Sequence, residues 1–167
     1  MISLTEENYL KALFHLSADT GEAGLNELSR QLGVKMPTAT SMMKKLGEKK
    51  LVHYESYKPV RLTEKGKKEA RLIIRKHRLT EMFLVEKMGF GWEQVHDIAE
   101  QVEHLQAPAF FEKMDELLGY PTLDPHGSPI PDKNGRMPGT AYRKLSTCPV
   151  GETVIFAAVL HTSNDFL

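Results

Sequence analysis

The chain has 167 residues, enough for one domain or two small ones, and its 41% hydrophobic and 26% charged residues are ordinary for a globular protein. One cysteine, Cys148, excludes an internal disulfide, and no apolar run reaches the length of a membrane span. Net charge is zero but unevenly spread: residues 1–78 hold 16 Lys/Arg against 9 Asp/Glu, and residues 79–167 hold 6 against 13. Such a split suggests a basic half that faces a polyanion and an acidic half with another task. "MISLTEENYL" has no basic segment followed by an apolar one, so a cytoplasmic protein without a signal peptide is expected.

In chain order, "TEENYLKALFHLSA" predicts a first helix with Tyr9, Leu10, Leu13, Phe14 and Leu16 on an apolar stripe and Ser3 or Thr5 as its cap. "LNELSRQLG" predicts a second, turning Leu25, Leu28 and Leu32 inward and stopping at Gly33. "MPTATSMMKKLGEKKL" predicts a third, with Pro37 in its first turn, where a missing N–H costs nothing. "LVHYES" and "PVRLT" are β-rich and predict a short hairpin, after which Thr63 can cap a long helix ending at Gly89. "WEQVHDIAEQVEHL" and "APAFFEKMDELLG" predict two more helices. Residues 120–142 are rich in proline and glycine and read as a linker or loop. "LSTCPVGETVIFAAVL" predicts a turn and at least one strand.

Helix, short turn, helix and a two-stranded wing is the order of a winged helix-turn-helix. Its recognition helix enters the major groove of double-stranded DNA with its N-terminal residues toward the base edges. That end carries Pro37, Thr38, Thr40 and Ser41, small hydroxyls and an apolar ring suited to close approach and thymine methyls. Lys35, Lys44, Lys45, Lys49 and Lys50, with Lys58 and Arg61 in the wing, are candidate phosphate contacts that set position rather than sequence. The plainer reading is a helical domain whose basic surface contacts protein.

In "HDIAEQVEHL", His96, Glu100, Glu103 and His104 stand at offsets 0, 4, 7 and 8. On a helix these share an arc of roughly 100°. In "RKHRLTEMF", His77 and Glu81 are also one turn apart. Clustered carboxylates repel unless something cationic lies between them, and imidazole nitrogen with carboxylate oxygen suits a divalent first-row metal. The absence of thiolate argues against a structural zinc site. Each residue also has a plainer role: His96 pairing with Glu100, His77 capping or stacking among arginines, Glu81 balancing Arg78 or Lys87. Glu100-x-x-Glu103-His104 lacks the first histidine of the H-x-x-E-H zinc-protease pattern, and no G-x-S-x-G, P-loop or G-x-G-x-x-G occurs. No enzyme is expected.

The stretches "TEENYLKALFHL", "MPTATSMMKKL", "VRLTEKGKKEA", "RKHRLTEMFL", "VHDIAEQVEHL" and "GSPIP" follow one another over residues 3–131. On these the chain resembles the metal-dependent repressors of the diphtheria toxin repressor type, including the manganese transport regulators. The resemblance implies a mainly α fold. A winged helix-turn-helix DNA-binding domain over 1–72 would precede a helical metal-binding and dimerisation domain over 73–120. A linker over 121–142 and a short, incomplete SH3-like β segment over 143–167 would follow.

The resemblance also implies roles. Glu100, Glu103 and His104 match the family's principal metal ligands, with Asn8 where the family places its N-terminal ligand. His77, Glu81 and His96 match its ancillary site. Asn8 replaces the usual aspartate or methionine, so its amide oxygen would coordinate without charge. Lys11 stands in place of a carboxylate used by the manganese regulators. Glu100 stands where the iron branch has a cysteine, and that hard oxygen favours Mn²⁺, with Fe²⁺ the alternative. The function implied is a homodimeric repressor of manganese or iron homeostasis genes, in which metal fixes the dimer geometry that fits the operator. Apolar residues near Phe110, Phe111, Leu117 and Leu118 are expected at the dimer interface. The competing classes are a metal-independent winged-helix regulator and a metal-dependent hydrolase.

Overall fold

Ser3 starts the first helix, as one of its two candidate caps. In the computed structural model its hydroxyl accepts the Glu6 N–H at 3.4 Å while the Glu6 carboxylate accepts the Ser3 N–H at 2.7 Å. This reciprocal cap begins α1 (Leu4–Leu16). Residues 2–139, 143 and 145–155 are described. They fall into two units: the described part of Met1–Ile74 with Lys133–Arg136, and Arg75–Asp132 with the described part of Met137–Leu167.

In the first unit α1 is followed by α2 (Leu25–Gln31), α3 (Met36–Glu48), β1 (Val52–His53) and β2 (Arg61–Leu62). Gly33, at φ 62°, takes the left-handed conformation that lets the chain turn after α2. Pro37 lies in the first turn of α3, as predicted. The hairpin is antiparallel, with Val52 opposite Leu62 and His53 opposite Arg61. A third pairing escaped the sequence: Ala23 and Val60 exchange two backbone hydrogen bonds of 2.9 Å, tying the chain before α2 to the wing. The core joins Leu10, Leu13, Leu28, Met43, Leu46 and Val60, with Ile73 from α4 (Glu64–Met88). Ala39, Met43 and Leu46 recur at helical spacing and turn one face of α3 inward, which leaves Thr38, Ser41 and Lys44 outside. Gly66 on α4 packs where a Cβ would lie 2.0 Å from the Leu51 carbonyl oxygen.

The rest of α4, α5 (His96–Val102) and α6 (Pro108–Leu117) belong to the second unit. Gly89, at φ 73°, closes α4 where the sequence predicted. Helix α5 is shorter than its 14-residue sequence pattern. At its start Gly91 and Gln94 close a separate turn, with Gly91 N–H donating to Gln94 Oε1 and Gln94 N–H to Gly91 O. At its end the chain leaves at Glu103, and Ala107, ahead of Pro108, stands outside the helical region at φ −129° and ψ 77°. Leu79, Phe111, Met114 and Ile130 form the core of this unit. Residues 120–132 fold back as a turn: Ile130 N–H donates to Thr122 O at 2.8 Å, and Arg75 donates to Pro131 O at 2.7 Å. Arg78 donates to Pro129 O.

Beyond this turn the described residues contain one short 3₁₀ helix, Leu145–Thr147. The strand expected within "LSTCPVGETVIFAAVL" lies partly outside the described residues. Among the described residues no helix is long and apolar enough to cross a membrane. The fold is mainly helical, as expected.

Candidate metal centre and nucleic-acid surface

The metal candidates of the second unit converge on His77. Helix α4 presents His77 and Glu81 one turn apart; α5 presents His96 and Glu100, and Glu103 caps its C-terminus. His77 Nδ1 lies 2.6 Å from Glu103 Oε2, and His77 Nε2 lies 3.0 Å from Glu81 Oε1. His96 Nδ1 is 3.4 Å from Glu81, and its Nε2 is 3.6 Å from Glu100. That second contact is the plainer pairing foreseen for His96. Glu81 pairs with His77 rather than balancing Arg78 or Lys87, because Arg78 turns to Asp124 at 3.4 Å and to the Pro129 carbonyl.

Among the described residues, two groups of donors have their ligand atoms within 4.8 Å of one another: His77, Glu81 and His96; and His77, Glu100 and Glu103. The two share His77, so the structure does not divide these side chains into the sets implied by the resemblance. His104 stands outside both groups, past the end of α5, with Nε2 3.6 Å from Glu103 Oε1. Asn8 lies half-buried on α1 in the first unit.

Burial sets the electrostatics of the cluster. Glu103 is fully buried, and Glu81 and His77 are nearly so. Burial alone would raise the Glu81 carboxyl. Hydrogen bonds from His77 and His96, and the charges of His77 and His126, outweigh it and bring Glu81 to about 2. Both nitrogens of His77 can donate at once only if the ring is an imidazolium. A positive charge between two buried carboxylates is what a divalent cation would also provide. All the donors are nitrogen or oxygen, so the side chains fit such an ion.

His126 was not singled out in the sequence. Its buried ring packs edge-on against Trp92, its Nε2 is 3.9 Å from Glu81 Oε1, and neither ring nitrogen finds a hydrogen-bond partner among the described residues. Asp124 holds the turn by accepting the His126 and Ser128 N–H groups at 2.9 and 2.8 Å. Burial raises the Asp124 carboxyl and outweighs the Ser128 amide and Arg78. The only signal in the sequence was a histidine in a proline-bracketed turn, "DPHGSP", far along the chain from Glu81.

In the first unit Lys35, Pro37, Thr38, Ser41, Lys44 and Lys45 are exposed and Thr40 is half-buried. Lys58 pairs with Glu55 at 2.8 Å in the wing, and Arg61 lies 3.8 Å from Glu22. Lys50 is exposed at φ 58° just past α3. Lys45 and Lys49 both reach the buried carboxylate of Glu6, at 3.2 and 2.8 Å.

The first unit is thus a winged helix-turn-helix, and the second is a helical unit with a buried imidazole–carboxylate cluster whose donors fit a divalent ion. Residues 1–60 match the iron dependent repressor N-terminal DNA binding domain, and residues 63–132 match the iron dependent repressor metal binding and dimerisation domain. The chain belongs to the metal-dependent repressor family of diphtheria toxin repressor and the manganese transport regulators. It is 30% identical over 114 residues to the HTH-type transcriptional regulator MntR of Oceanobacillus iheyensis, covering 68% of this chain and 77% of that protein. It is 31% identical over 127 residues to the iron-dependent repressor IdeR of Mycobacterium tuberculosis, covering 76% of this chain and 55% of that protein. The chain therefore spans about half the length of such curated relatives. A solved manganese-dependent transcriptional repressor in complex with manganese superposes with a TM-score of 0.85 at 34% identity, over 95% of this chain and 73% of its own.

Proposed function

We propose that this chain is a metal-activated transcriptional repressor that binds operator DNA as a cytoplasmic homodimer and controls manganese or iron homeostasis genes. The observation that carries this reading is the placement of His77 between Glu81 and Glu103, in the region that matches a metal binding and dimerisation domain. His77, Glu81, His96, Glu100 and Glu103 are the residues that would hold the ion, with His104 beside Glu103 and His126 beside Glu81. Asn8 is the further donor that the resemblance implies. When bound, the ion supplies positive charge to the buried carboxylates and favours the dimer geometry that fits an operator.

The side chains of α3 and the wing do the rest. Pro37, Thr38, Thr40 and Ser41 face base edges; Lys35, Lys44, Lys50, Lys58 and Arg61 contact phosphates. Mn²⁺ is the first reading, because Glu100 offers a hard oxygen and the superposed repressor complex holds manganese. Fe²⁺ is the second, because the matched domains and IdeR are described as iron dependent.

The test is a DNA-binding titration run in parallel with Mn²⁺, Fe²⁺, Zn²⁺ and chelator. A stimulation of roughly five- to 150-fold by Mn²⁺ or Fe²⁺ is expected. Equal binding in chelator would replace this reading with a metal-independent winged-helix regulator.

A further inference from the structure

We infer that Glu6 is an internal counter-anion for the recognition helix: it holds Lys45 and Lys49 and keeps their charge from the DNA backbone. The inference rests on the winged-helix reading above and changes which basic residues of α3 do the binding.

The Glu6 side chain is fully buried, although it lies in the first turn of α1. Its position is set from its own helix, because the carboxylate accepts the Ser3 N–H that opens the capping box. It cannot follow a lysine outward without breaking that cap. Lys45 and Lys49 are one turn apart on α3, where two like charges repel. Both ammonium groups meet the same carboxylate, at 3.2 and 2.8 Å. Lys45 keeps 53% of its side chain exposed and Lys49 36%, so both are solvent-facing lysines committed at the tip.

The Lys58–Glu55 pair in the wing is the contrast. Both of its side chains are well exposed, and they lie at the i, i+3 spacing of a loose surface pair. A phosphate can displace Glu55 at little cost, because water takes over the released carboxylate. Glu6 has no such freedom: the Ser3 N–H holds its carboxylate in place and both lysines share it, so a phosphate must break a preformed, solvent-shielded pair rather than a loose one. The lysines in and just after α3 therefore divide: Lys44 and Lys50 are available to a polyanion, and Lys45 and Lys49 are withheld.

The variant that tests this is Glu6→Gln, which keeps the side-chain length and the acceptor for Ser3 while removing the charge. Two readouts apply: salt elution from heparin, and the salt dependence of binding to a duplex of unrelated sequence. Glu6→Gln is expected to elute later and to steepen the slope of log K against log salt by about 1–2. Adding Lys45→Gln and Lys49→Gln to that variant should remove the gain. Elution and slope equal to those of the parent overturn the inference.

A second measurement needs no variant. In the intact protein, the ε-ammonium NMR signals of Lys44 and Lys58 should respond to added duplex while those of Lys45 and Lys49 stay in place. Movement of the latter pair on titration is the contrary result. If the parent binds heparin but no duplex under any metal condition, the repressor reading fails, and the heparin comparison still decides the role of Glu6.

Discussion

His77 Nδ1 lies 2.6 Å from Glu103 Oε2, joining the middle of α4 to the exit of α5 through two buried side chains. Glu103→Gln keeps a hydrogen-bond acceptor for the ring and removes the charge. Metal affinity should fall by more than about 100-fold, beyond the range typical for losing an outer-shell partner. Metal-stimulated DNA binding should vanish while the helical circular dichroism spectrum is retained. Full stimulation in this variant would remove Glu103 from the ligand set.

Metal binding should release protons. Glu81 is brought to about 2 and is already ionised near neutral pH, so it is not the source of a displaced proton; a metal ion binds imidazole only in its neutral form. Calorimetric titration with Mn²⁺ in two buffers of different ionisation heat, at about pH 6, should give heats that differ in proportion to those of the buffers. Identical heats would mean that the ion enters without displacing a proton from the cluster.

Glu6 should make the first unit sensitive to acid. Burial works to raise its carboxyl, but Lys49, the Ser3 N–H and Lys45 outweigh burial and bring it from 4.5 to about 2. A carboxyl lowered on folding stabilises the fold while ionised, above its unfolded value. That contribution is lost as pH falls from about 4.5 to about 2. The loss is on the order of 2–3 kcal/mol across this window. Thermal melts between pH 5 and pH 2 should show a steeper decline for the parent than for Glu6→Gln, and parallel curves would contradict the assignment.

Gly66→Ala should destabilise the first unit. The new methyl would meet the Leu51 carbonyl oxygen at 2.0 Å; the helix backbone fixes the methyl, and the oxygen is itself backbone, so neither can rotate away. A cost of about 2–4 kcal/mol is expected, seen as a lowered denaturation midpoint. An unchanged midpoint would show that α4 can slide relative to the wing.

The apolar residues of α6 divide into two classes with different outcomes. Phe110 and Leu117 are about half exposed, whereas Phe111 and Leu118 pack with the core of the second unit. Sedimentation at micromolar concentration should show a dimer for the parent and a monomer for Phe110→Glu. Phe111→Ala should instead lower stability, by about 3–5 kcal/mol. A Phe110→Glu dimer would place the subunit contact elsewhere.

Much of this protein could be read from the chain alone, because the signals are local. The apolar stripe of Tyr9, Leu10 and Leu13, the proline in the first turn of α3 and the glycine after α4 act over one or two helical turns. The pairings of His77 with Glu81 and of His96 with Glu100 were equally visible, since helical spacing places residues four apart on one face. The family resemblance added which of these side chains to watch.

What escaped the sequence depends on contacts between distant segments. Nothing in the spacing of Lys45 and Lys49 announces a buried Glu6, and nothing in "DPHGSP" points to Glu81. The length of α5 was decided by a side-chain turn at Gly91 and a non-helical residue before Pro108, which left His104 beyond the helix whose periodicity had included it. Periodicity reports which residues share a face. It cannot report which face meets which, because that choice follows from packing and from the need of every buried charge to find a partner. The sequence by itself therefore determined the helices, the wing and the residue types that can bind a metal or a phosphate. Only the tertiary structure decided that His77 is shared between two carboxylates and that two lysines of α3 are already taken.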